Sequence, residues 1–104
     1  MNDYKKQIHF LTLEKFNDID ACIFLFGSRV DGTNSTYSDY DLGFFADINI
    51  DSKIVELKEA FQNSNIPFKI DLVNFSHVST EFKKIALTKV EVWKDPKNLI
   101  QKLS

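Results

Sequence analysis

Cysteine is nearly absent from this chain: Cys22 is the only one. An intrachain disulfide and a cysteine-rich zinc site are therefore excluded. Long apolar runs are also missing. The longest, Ala21 to Phe26, covers six residues, whereas a membrane span needs about 20 and a signal-peptide core about 7 or more. The opening Met1-Asn2-Asp3-Tyr4-Lys5-Lys6 carries an acid and has no apolar stretch behind it, so the chain reads as cytoplasmic. Neither charge sign dominates. Thirteen Lys and Arg against fifteen Asp and Glu leave a net charge of −2, which argues against holding long nucleic acid by charge alone but leaves room for a local basic site. No repeat, low-complexity tract or Pro/Gly/Ser linker is visible, and 104 residues suit one compact domain, read as residues 1–104. What the chain does have is rings: ten Phe, three Tyr and one Trp within a 43% hydrophobic composition. At low net charge that is enough apolar material for a core, so a disordered chain is excluded.

The periodicity predicts alternating helices and strands. Residues 3–16 read as a helix with Tyr4, Ile8 and Leu11 at helical spacing, broken by Asn17-Asp18. Ala21 to Phe26 reads as a buried central strand ending at Gly27. Ser28 to Tyr37 is polar, a short helical turn and a loop, and Asp41 to Ala46 is a second strand. A helix over Ser52 to Ser64 follows, with Ser52 as its cap and Ile54, Leu57 and Phe61 on one face. Pro67 to Val73 alternates as a third strand. Ser79 caps a fourth helix through Thr88 with Phe82, Ile85 and Ala86 inward. Val90 to Trp93 is a last strand, and Pro96 sits in the first turn of a C-terminal helix. The fold class is α/β, with a central mixed sheet of about four strands packed with helices.

The stretch that carries chemistry is Gly27-Ser28-Arg29, then Ser38-Asp39-Tyr40-Asp41-Leu42, and later Ile70-Asp71-Leu72. Side chains on a strand repeat every second residue, so Asp39 and Asp41 leave one face. Paired carboxylates repel, and their burial is costly without a cation. Hard oxygen ligands suit Mg²⁺. Alone, Asp-x-Asp is equally the start of a solvated strand. Asp71 lies on the polar side of a strand whose other side is apolar. Beside the second strand it would approach the pair and fit two-metal chemistry; otherwise it is an edge acid paired with Lys69. Gly27-Ser28 closes a buried strand, where glycine lets the backbone approach a phosphate and the turn can hold phosphate oxygens; the plainer reading is a strand-to-helix turn with a serine cap. Gly43 shares the face of Asp39 and Asp41. It either leaves space for a ligand or for Asp71, or marks a bulge. Arg29 and Ser38 are candidate phosphate contacts. Cys22 reads as core, and His9 and His77 as non-catalytic.

With ten residues between Ser28 and Asp39, the combined pattern resembles the minimal nucleotidyltransferases of the DNA polymerase beta superfamily, from about Ile19 to Trp93. The resemblance implies that Asp39 and Asp41 bind Mg²⁺, that Asp71 assists the metal or activates an acceptor hydroxyl, and that Gly27-Ser28 holds a nucleoside triphosphate, ATP most often. It further implies transfer of AMP to a hydroxyl acceptor. Larger members carry extra domains that hold the acceptor. This chain is expected to act instead with a separate helical-bundle subunit, in a hetero-oligomer. In some such pairs the small protein is the antitoxin of a HEPN-type toxin and adenylylates it; in others the helical subunit binds a small-molecule substrate, and occlusion alone is a third possibility. The aromatic stock exceeds what a core of this layout requires. Some rings, with the Pro96 to Leu103 tail, are therefore expected on a binding surface.

Overall fold

Cys22 to Phe26, the strand within the central apolar run, are all buried, so layers must cover both faces of the sheet built around them. The computed structural model describes residues 3–31 and 39–103. Among these the elements run α1 (Tyr4–Lys15), β1 (Cys22–Phe26), α2 (Ser28–Asp31), β2 (Tyr40–Phe45), α3 (Asp51–Gln62), β3 (Ile70–Asn74), α4 (Thr80–Ala86), β4 (Glu91–Lys94) and α5 (Ile100–Leu103). The strands form one sheet in the order β3-β2-β1-β4. β1 pairs antiparallel with β2 and β4, whereas β2 and β3 run parallel. A parallel pair needs a crossover, and α3 supplies it. The expected α/β class with a mixed four-stranded sheet is therefore what forms.

Strand alternation sends β1 and β2 side chains to two cores. Ile23, Leu25, Leu42 and Phe44 meet Ile8, Phe16, Leu57 and Phe61 under α1 and α3. Cys22, Phe24 and Phe26 meet Phe75, Ala86, Leu99 and Leu103 under α4 and α5. Burial of Cys22 pushes its thiol up to about 12, with Asp95 adding to the effect. That makes it an inert core residue, as read from the sequence.

Several local expectations need correction. Ser52 lies inside α3 and does not cap it. The N-cap is Ile50, which makes no side-chain cap bond, while the Asn49 side chain accepts from the Asp51 N–H at 2.9 Å. Residues 67–69 precede β3, whose ladder starts at Ile70. Ser79 does cap α4, accepting from the Phe82 N–H, but the helix ends at Ala86; Phe82 packs on Phe26 and Phe75 with its outer edge exposed, and Ile85 points outward. Pro96 lies in a turn ahead of α5. Asp95 caps that helix by accepting from Leu99 and Ile100. Leu99 and Leu103 of the tail are buried, so they form core and not an outward binding surface. Most rings do likewise: among the described residues Phe10 and Phe82 are the exposed aromatics.

Candidate active site

The site is built by register. Phe26, the last residue of β1, pairs with Asp41, and Asp41 pairs with Asp71 across the parallel β2–β3 ladder. Residues in register on neighbouring strands point to the same face, with strands about 4.8 Å apart. The two carboxylates therefore stand side by side at one end of the sheet, on the face of Phe24 and Phe26. The expectation that the Asp71 strand neighbours the second strand is met.

Electrostatics mark Asp41 as the focus. Its carboxyl is held above the ordinary value of 3.8, first by burial, then by Asp71 and Asp39, with Lys69 opposing; a hydrogen bond to Asp71 adds to the rise. Asp39 lies just ahead of β2, half-buried. Asp71 also has Lys69 at 3.7 Å, but the lysine side chain is 71% exposed, so that pair is worth little. Among the described residues no group of three His, Cys, Asp or Glu side chains is close enough to share one metal ion. The two-carboxylate pair nevertheless fits a divalent cation by donor chemistry: hard oxygens, mutually repelling and partly desolvated, which a cation between them would relieve.

Gly27 is required twice. Its φ is +81°, a region side chains avoid, and an added Cβ would collide with the Asp41 carboxylate. The close approach that glycine permits is to Asp41. The Gly27 carbonyl then accepts from the Val30 N–H at 3.0 Å, turning the chain into α2 with Ser28 as its first residue. Gly43 has a different purpose from the two weighed above. A Cβ there would run into the rings of Phe24 and Phe75, so the space is filled by core and holds neither ligand nor Asp71.

Arg29 is stacked on two aromatic rings. Its guanidinium lies 4.2 Å from the Tyr40 ring centroid and 4.9 Å from that of Phe68, rings that belong to the opposite face. Ser38 lies outside the described residues. His9 packs on Trp93 at 4.8 Å between centroids, and His77 stands 3.7 Å from Asp51; neither lines the site. A cavity of about 470 Å³ contains Asp41 and Asp71 and is walled by Phe26, Lys58, Val73 and Phe82 among others. Lys58 and Phe82 were not foreseen. Neither stands in a motif, and only the packing of α3 and α4 brings them to the acids.

The description "Polymerase beta, Nucleotidyltransferase" matches residues 7–97. The chain is 37% identical over 67 residues to the probable protein adenylyltransferase MntA of Haemophilus influenzae, a stretch that covers 64% of this chain and 59% of that protein. It thus spans less than two thirds of that relative's length. The fold also resembles a chain in a toxin–antitoxin structure with AMP-PNP, at TM-score 0.71 and 21% identity, covering 91% of this chain and 79% of that one. A chain in the complex of tri-AMPylated Shewanella oneidensis HEPN toxin with MNT antitoxin matches at TM-score 0.60 and 19% identity, covering 95% and 76%. Among the described residues no helix is long and apolar enough to cross a membrane. With the family description spanning most of its length, the chain belongs to the polymerase beta nucleotidyltransferase family.

Proposed function

We propose that this chain, residues 1–104 taken as one nucleotidyltransferase domain of the cytoplasm, transfers AMP from ATP to a hydroxyl group on a HEPN-type helical partner, as the antitoxin of that partner. The observation that carries the proposal is the register pairing of Asp41 with Asp71 beside the Gly27 turn. The adenylyltransferase name of the Haemophilus relative and the toxin–antitoxin structures of similar fold support the acceptor. Asp39, Asp41 and Asp71 would hold Mg²⁺ as a two-metal site and not as three ligands of one ion; the metal would lower the pKa of an attacking hydroxyl and neutralise charge on the departing phosphate.

The chain's own groups then have distinct tasks. The Gly27-Ser28 turn offers backbone N–H groups and a hydroxyl to the triphosphate. Arg29, stacked on the Tyr40 and Phe68 rings, and Ser38 are candidate phosphate contacts. Asp71, half exposed, faces the acceptor side and takes the hydroxyl proton. The acceptor oxygen bonds to the α-phosphorus, the bond from that phosphorus to the bridging oxygen breaks, and pyrophosphate leaves. Positioning and electrostatics do most of the work in such transfers.

Incubation with Mg²⁺, the helical partner and ATP labelled at the α- or the γ-phosphate tests this. Label on the partner from the α position only, lost in the Asp39→Asn/Asp41→Asn double variant, is the expected result. No transfer together with no ATP binding would reject the enzyme. Label on a small molecule with an unlabelled partner would reject the acceptor. A double variant that neutralises the toxin at equal dose would show occlusion without chemistry.

A further inference from the structure

Behind the Gly27 turn lies a second recess that the transfer chemistry leaves unused. It measures about 230 Å³ and is lined by Phe26, Gly27, Phe82, Ile85, Thr88 and Lys89 among others. Phe26 and Phe82 also wall the carboxylate cavity, so one aromatic partition separates the two spaces. The Phe82 ring stands edge-on to Phe26, with centroids 6.1 Å apart at 88°, and tilted against Phe75 at 5.7 Å. Those contacts fix it, although it is 38% exposed. One turn further along α4, Ile85 is 78% exposed. Single exposed apolar residues are ordinary. This pair lines one recess beside the Gly27 turn, and its Phe82 also walls the cavity of the acids.

We infer that Phe82 and Ile85 form the ledge on which the nucleobase of the bound nucleotide lies, an inference that rests on the proposed function. Phosphates held at Gly27-Ser28 and Asp41 leave the base two directions. Toward β3 the adjoining space mixes Lys58, Lys69 and Asp71 with Phe61 and Phe68, and Gly27 is not in its lining, whereas Gly27 does line the recess on the α4 side. Toward α4 the wall is Phe82 and Ile85. A base stacks on such a ring through its π-face, whatever its identity. The Thr88 hydroxyl on the far rim already donates to the Lys84 carbonyl at 3.0 Å, so recognition in the recess leans on stacking.

Titration calorimetry of the full chain in Mg²⁺ with ATP and with inorganic triphosphate tests the ledge. Phe82→Ala is expected to weaken ATP about tenfold, in the range of one lost base stack, and triphosphate less than twofold. Phe82→Trp is expected to restore ATP binding. Ile85→Ser, at a site too exposed to affect folding, is expected to weaken ATP severalfold in the same selective way. Equal weakening of both ligands, or no change in either, would overturn the ledge while leaving the nucleotide reading intact. Unchanged ATP affinity with loss of binding to the helical partner would make it a protein-docking surface and overturn it likewise. A wild-type chain that binds neither ligand would overturn the proposed function and the ledge with it.

Discussion

Asp41 is held at a cost to the fold, so replacing it with asparagine is expected to stabilise the metal-free protein. The carboxylate is half-buried against the Gly27 backbone, next to Asp71 and near Asp39. Its principal counter-charge, Lys69, is exposed and stands nearer Asp71. A carboxyl whose pKa is raised on folding binds its proton more tightly in the folded state. Stability therefore increases as pH falls through the raised native value toward the ordinary 3.8, and the full penalty applies above the native value. The Asp41→Asn change keeps the side-chain shape, removes the charge and offers Asp71 an amide donor. The gain at pH 8 is about 1 kcal/mol, typical of relieving a functional site and limited by water screening at a half-exposed pair. For a domain of this size that raises Tm by roughly 4–8 °C. Thermal melts of both proteins from pH 8 downward give the test. The advantage of Asp41→Asn should shrink as the wild-type carboxyl protonates, and added Mg²⁺ should raise the wild-type Tm more than the variant's. A variant less stable than wild type at pH 8, or an advantage independent of pH, would refute the reasoning.

Gly27 and Gly43 are expected to separate stability from binding. Gly43→Ala should destabilise by about 1–3 kcal/mol through overpacking against Phe24 and Phe75, with ATP affinity in the folded protein near wild type; a denaturant midpoint equal to wild type would contradict this. Gly27→Ala should cost about 1–2 kcal/mol for the left-handed backbone and also displace Asp41, so calorimetry should show weaker Mg·ATP binding. Unchanged affinity there would mean that the carboxylate does not depend on the turn.

Much of the site was legible because it is written locally. A continuous apolar run ending in Gly27 announces a two-sided strand and a tight turn, and the short Asp39-x-Asp41 spacing keeps two acids near each other, as the influence of Asp39 on the Asp41 carboxyl reflects. Asp71 was legible at one remove, since its polar position on an otherwise apolar strand suggested a neighbour, and the β2–β3 register supplied one. What was illegible depends on tertiary docking. The purpose of Gly43 is set by the Phe24 ring opposite it and by Phe75 from beyond β3, and no local pattern names those rings. α4 is seven residues long, too short for periodicity to define its docking face fully: Phe82 does turn onto Phe26 and Phe75, but Ile85 points outward. Arg29 follows the motif turn, yet its guanidinium is held by Tyr40 and Phe68, contacts that need the sheet in place. The aromatic surplus likewise disappeared into the two cores on either side of the sheet.

The central claim is that the Asp41–Asp71 pair performs nucleotide transfer, and the rate of AMP transfer to the helical partner by Asp41→Asn, Asp71→Asn and the double variant tests it most directly. The account predicts that each single change lowers turnover by well over tenfold, more than about 1.4 kcal/mol in barrier. The double loss should fall far short of the product of the single losses, because the pair acts as a unit, while circular dichroism stays that of the wild type and Asp71→Asn still binds Mg·ATP. Turnover within tenfold of wild type in a folded Asp41→Asn protein would contradict it.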